Sequence, residues 1–288
     1  MKFANYDQRA VVTDGHRAVY VADASAGEFA DDPQQIFARW TEFAAWAATV
    51  DVADGFVIDP SKLGAPSPKP QQVFAVGLNY AAHARESGID VPPEPAVFTK
   101  FPTSVVGPDS DLDLPTDTVD YEAELVVIIG QPTHRVSESD AWDHIAGITV
   151  GQDISERTRQ RVGPAAQFSL GKSFPGFAPT GPWLTTIDEV PDPNNLGIGC
   201  SINGTVMQKA RTDDLIFSVP IIVAKLSEIL PLLPGDLIFT GTPSGVGGAR
   251  TPPVFLRDGD VLETWVEGIG TITSRCRAGI PYPSPRNA

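Results

Sequence analysis

Apolar residues in this chain gather in short runs broken by proline and glycine, a pattern that predicts strands more often than helices. Val73–Val76, Ala96–Thr99, Tyr121–Ile129, Gly147–Val150, Gly199–Ile202, Asp236–Thr240 and Val261–Val266 are the strand candidates, with a short one at Arg17–Val21. Helical spacing appears in two places. Between Asp32 and Val50, Ile36, Trp40, Phe43 and Trp46 recur as an apolar stripe behind Pro33, which suits a first turn. A second helix is expected from Val219 to Leu230, capped by Ser218 with Pro220 in its first turn. Gly64–Pro70 reads as an extended, proline-rich connector. The predicted organisation is therefore a small α/β unit with its linker, residues 1–70, followed by a larger unit, residues 71–288. The fold class is α+β, mainly β, with no internal repeat.

Composition narrows the function. A net charge of −15 repels phosphate backbones and anionic lipid, so neither nucleic acid nor membrane is expected as a partner. The most apolar stretch, Val219–Leu233, is interrupted by Lys225, Glu228 and Pro231 and is too short to span a bilayer. Met1–Asp7 lacks the apolar core of a signal peptide, and a cytoplasmic location is expected. Cys200 and Cys276 make neither a disulfide framework nor a metal cluster and read as reduced, structural thiols.

Three carboxylates carry the strongest chemical signal. Glu122 and Glu124 are two apart in a predicted strand, so they share a face. Two like charges so close repel, and a divalent cation would relieve them; the alternative is a solvated acidic strand face. With Asp153 as a further oxygen donor and no His or Cys at ligand spacing, Mg²⁺, Mn²⁺ or Ca²⁺ suits the set better than Zn²⁺. His83 and Glu86 are three apart on a short helix that Asn79 could cap, so the carboxylate can orient the imidazole as a general base. Asp153, Arg157 and Gln160 follow at spacings of four and three, which one helical turn would gather near the metal, where Arg157 and Gln160 could face an oxyanion. Lys172, amid apolar and turn residues, reads as a fixed ammonium or as a surface lysine. Other motifs fail. Gly171-Lys172-Ser173 lacks the opening glycine of a phosphate loop, because position 166 is Ala166. The glycine-rich Gly241–Gly248 segment runs into Pro252 and Pro253, so no dinucleotide-binding helix opens there.

The ordered series Gly77–His83, Asp120–Glu124, Asp153–Arg157, Gly171–Ser173 with Gly181–Trp183, Asn203-Gly204, Pro234–Asp236 and Thr240–Gly247 resembles the fumarylacetoacetate hydrolase family over about Val73 to Arg275. The resemblance implies a mixed β-roll catalytic domain, usually a homodimer. It implies Mg²⁺ or Mn²⁺ on Glu122, Glu124 and Asp153, and a His83–Glu86 pair on a mobile lid; the placement of Gly77 and Gly88 on either side of that segment suggests hinges. Lys172, Arg157, Gln160 and Thr242 match positions that touch substrate in relatives. One departure is Pro175, where relatives often carry Asp. The expected activity is metal-dependent hydrolysis of a C–C bond in a 2,4-dioxo acid, releasing pyruvate or a related 2-oxo acid. Isomerisation, tautomerisation or decarboxylation of a 2-oxo acid is the alternative.

Overall fold

The structure, a computed structural model, describes residues 1–86, 88 and 90–280. Its centre is strand Ala123–Ile129, flanked by Ile145–Gln152 and Leu237–Phe239. Both long strands are buried along their whole length, which is why they read as continuous apolar runs. Alternate residues serve two cores: Leu125, Val127 and Ile129 pack on one side, Val126 and Ile128 on the other.

Outward from this centre, Leu237–Phe239 pairs in parallel with Val73–Gly77, which pairs with Ala96–Thr99 at one edge. In the other direction Ile145–Gln152 pairs with Ala178–Thr185, and that strand pairs with Lys2–Tyr6. The chain's first residues thus continue the same sheet through Arg9–Thr13, Arg17–Tyr20 and Phe56–Val57. A second, five-stranded sheet contains Thr205–Arg211, Gly197–Ile202, Val261–Val266, Gly270–Ala278 and Asp109–Leu114. Cys200, Leu262 and Ile272 from this sheet pack against Leu125, Val127 and Val150 of the first. The fold is mixed and mainly β.

Three local expectations need correction. The helix expected over Asp32–Val50 is broken into Pro33–Ile36, a 3₁₀ turn Phe37–Arg39 and Trp40–Ala47, because Arg39 leaves helical geometry at φ −129°. The break turns Phe37 and Trp40 into stacked rings, 5.4 Å apart, over Phe3. Asn79 does not cap the helix Ala81–Glu86. Its amide donates to the carbonyls of Phe217 (2.9 Å) and Thr240 (2.7 Å) and accepts from Phe217 N–H (2.8 Å). The strand expected from Tyr121 begins at Ala123 instead, and Tyr121 and Glu122 lie in a break.

Both cysteines are free and buried, and burial pushes each thiol up to about 12. Among the described residues no helix is long and apolar enough to cross a membrane.

Candidate active site

The break at Tyr121–Glu122 is what builds the site. Asp120 pairs with Ser155, and Ala123 pairs with Gln152, in one continuous antiparallel register. That register sets Glu122 directly opposite Asp153, and Asp153 N–H donates to Glu122 O at 2.9 Å. Like charges facing each other across a ladder repel. Here the Lys172 ammonium bridges them, 2.6 Å from Glu122 Oε2 and 2.7 Å from Asp153 Oδ2. Glu124 comes from the next residue on the same face, opposite Gly151. Asp153 is thus delivered by strand register, not by the helical turn expected from its spacing to Arg157; the helix Arg157–Gln160 starts only after it.

Glu122, Glu124 and Asp153 are buried, and each brings one carboxylate oxygen within 4.8 Å of the others. Glu124 Oε2 accepts from Gly241 N–H at 2.7 Å. Gly241 stands at φ +109°, and a Cβ there would lie 2.6 Å from Asn79 Cβ, so the close approach requires glycine. Burial, then Asp153 and Glu122, hold the Glu124 carboxyl well above its ordinary range. Glu122 behaves oppositely: burial opposes its charge, but Lys172, Arg157 and His83 outweigh burial and pull it down to about 2. Burial likewise opposes the charge on Lys172, and Asp153 and Glu122 override it, so its value is raised.

Arg157 is committed within the protein. Nε donates to Asp120 at 2.7 Å, Nη2 lies 2.7 Å from both Asp120 and Glu122, and Nη1 donates to Gln160 Oε1 at 3.0 Å. Asp120 in turn accepts the N–H groups of Gly247 (2.7 Å) and Gly248 (2.8 Å). The glycine-rich segment therefore cradles a carboxylate of the chain itself.

Glu122, Glu124, Arg157 and Lys172 line a cavity of about 420 Å³ together with His83, Glu86, Gln160 and Thr242. His83 Nδ1 lies 2.8 Å from Glu86 Oε1. Glu86 also accepts Gly245 N–H, at 3.0 Å and 2.9 Å to its two oxygens. Thr242 Oγ1 accepts from Gln208 at 2.8 Å. Asp153 lies just behind the cavity wall, reached through Lys172.

Two residues escaped sequence reasoning. Lys100, fully buried, donates to Asp153 Oδ1 at 2.6 Å. Burial lowers its value despite Asp153. Its signal was present: a lysine between Phe98-Thr99 and Phe101-Pro102 stands in the same kind of apolar setting as Lys172. Asp120 was visible as part of a motif, but two of its partners, Gly247 and Gly248, lie more than a hundred residues away.

The charge count tests whether a cation fits. Four buried carboxylates, Asp120, Glu122, Glu124 and Asp153, meet three cations, Lys100, Arg157 and Lys172. The unmatched charge falls on Glu124, whose sole hydrogen-bond donor among the described residues is a backbone N–H. Hard oxygen donors with one charge in surplus suit a divalent cation.

Comparison with known proteins gives a consistent family. The family profile described as fumarylacetoacetate (FAA) hydrolase C-terminal matches residues 72–277. Oxaloacetate tautomerase FAHD2A, mitochondrial, of Bos taurus is 44% identical over 213 residues, covering 73% of this chain and 68% of its own. A fumarylacetoacetate hydrolase from Exiguobacterium antarcticum is 32% identical with a TM-score of 0.85, covering 96% of this chain and 99% of its own. Maleylpyruvate hydrolase from Sphingobium sp. SYK-6, solved with manganese(II) and pyruvate, is 28% identical with a TM-score of 0.79, covering 97% and 100%.

Proposed function

This chain belongs to the fumarylacetoacetate hydrolase family, and from that premise we propose that it interconverts the enol and keto forms of a 2-oxo dicarboxylic acid of the oxaloacetate class. The observation that carries this is one cavity lined both by an oriented imidazole, His83–Glu86, and by Glu122 and Glu124, with Asp153 completing the buried carboxylate triad just behind its wall. Glu122, Glu124 and Asp153 would hold Mg²⁺ or Mn²⁺, which when bound supplies Lewis acidity toward the acid's oxygens.

The chain's own residues do the rest. Glu86 Oε1 accepts the proton on His83 Nδ1 and leaves the lone pair on Nε2. Nε2 takes the enol hydroxyl proton, leaving an enolate and an imidazolium. The C–O bond then closes to a carbonyl as the C=C electron pair takes a proton at C3 from the imidazolium, and the base is restored. Keto-to-enol conversion runs the same steps backwards. The Lys172 ammonium offsets negative charge that develops on the substrate oxygens. The relatives named oxaloacetate tautomerase support this reading above hydrolytic C–C cleavage, the main expectation from sequence. Hydrolysis stays as a second reading because the same imidazole can take a proton from water, and a hydrolase stands among the structural neighbours.

The test follows loss of enol absorbance in oxaloacetate, coupled to a dehydrogenase that consumes only the keto form. Protein loaded with Mg²⁺ or Mn²⁺ should accelerate ketonisation without forming pyruvate. Ketonisation at the buffer rate, with pyruvate released from an acylpyruvate instead, overturns the proposal in favour of hydrolysis.

A further inference from the structure

Lys100 follows the edge strand Ala96–Thr99, and its side chain is wholly buried. It is not among the residues that line the cavity. Its ammonium nevertheless grips the site from behind. It donates to Asp153 Oδ1 at 2.6 Å and to the main-chain carbonyl of Lys172. The Lys172 ammonium holds the other oxygen, Oδ2, of the same carboxylate at 2.7 Å. Lys100 therefore fixes both the carboxylate and the backbone of the residue that faces it.

The other two carboxylates are restrained in the same manner. Glu122 Oε1 lies 2.7 Å from Arg157 and Oε2 2.6 Å from Lys172. Glu124 Oε2 is held by Gly241 N–H at 2.7 Å. A carboxylate anchored at one oxygen by a rigid donor cannot turn to chelate a cation with both. Ca²⁺ takes roughly six to eight oxygens, often with a carboxylate binding through both, whereas Mg²⁺ wants a tight octahedron of single oxygens.

We propose that Lys100 is a positioning residue: by pinning Asp153 Oδ1 it leaves Oδ2, which the Lys172 ammonium would yield, as the one oxygen that a cation can take from this carboxylate, and so makes the triad favour a small, six-coordinate cation over calcium. This rests on the cation reading of the proposed function but on no feature of the reaction, and binding alone tests it.

The experiment uses chelator-treated protein without substrate. Free Mn²⁺ is followed by its paramagnetic resonance signal, with Ca²⁺ as competitor. The wild type should hold Mn²⁺ about tenfold tighter than Ca²⁺, and Lys100→Met should remove most of that preference, in line with the effects of outer-shell partners on metal affinity. A lysine that only supports the fold would weaken both ions alike, so an unchanged ratio in a folded Lys100→Met overturns the proposal. Should Lys100→Met not fold, Lys100→Gln, whose shorter amide cannot span both partners, carries the same expectation and the same refutation. Equal wild-type affinity for the two ions overturns the proposal alone. Binding of neither ion overturns it together with the cation reading.

Discussion

On the floor of the cavity, Glu122 meets two cations and Asp153 meets two, every contact joining segments far apart in sequence. On its rim, His83 meets one carboxylate three residues away, and that carboxylate meets one backbone N–H. The floor is over-determined and buried. The rim depends on a single link, and the Glu86 side chain is still 24% exposed. Damage to the floor should therefore appear first as lost stability, and damage to the rim as lost rate with the fold intact.

The largest effect should come from Glu122→Ala, which leaves Lys172 and Arg157 short of a buried counter-charge. Breaking a buried pair from one side costs about 3–5 kcal/mol, read here by urea unfolding in chelator. A loss below about 1 kcal/mol would erase the distinction between floor and rim. Next, His83→Ala should slow ketonisation by about 10²–10⁴ while the unfolding midpoint barely moves. A matching drop in stability would place His83 with the floor. Glu86→Gln should cost about tenfold in rate, the worth of one hydrogen bond to a charged group. The smallest effect is a matter of pH. Burial with Asp153 and Glu122 raises Glu124, so in metal-free protein its contribution to stability is complete below the unfolded carboxyl value. That contribution is lost as pH rises through the raised folded value. Unfolding of the metal-free protein across this window should show stability falling with pH, and Glu124→Gln should flatten the slope. An equal slope in both proteins would deny Glu124 its special environment.

The sequence made the buried strands legible because apolar runs carry their own signal. Val261–Val266 and Ala96–Thr99 lie where the pattern puts them. Ala178–Thr185 was invisible, since Pro179, Gly181 and Pro182 read as turns. It is tolerated inside the sheet because its pairing with Ile145–Gln152 is irregular there. Lys2–Tyr6 was also missed: it is too short to show a period and gains its place only from strands at both sides. In the site, the spacing of Glu122 and Glu124 pointed to a shared face, but the meeting of Glu122 with Asp153 depends on a register that no local pattern encodes. Lys100 shows the same limit, since its partner lies 53 residues away.

The grip of Glu86 on Gly245 has one more consequence. The carboxylate that aligns the imidazole is also the latch between the helix Ala81–Glu86 and the glycine-rich loop. A movement of this helix away from the loop would sever the latch and carry His83 and Glu86, which share the helix, away from the carboxylates together. One carboxylate thus serves two duties, aligning the base and fastening its helix to the loop, so the base would stand armed only where the helix is fastened.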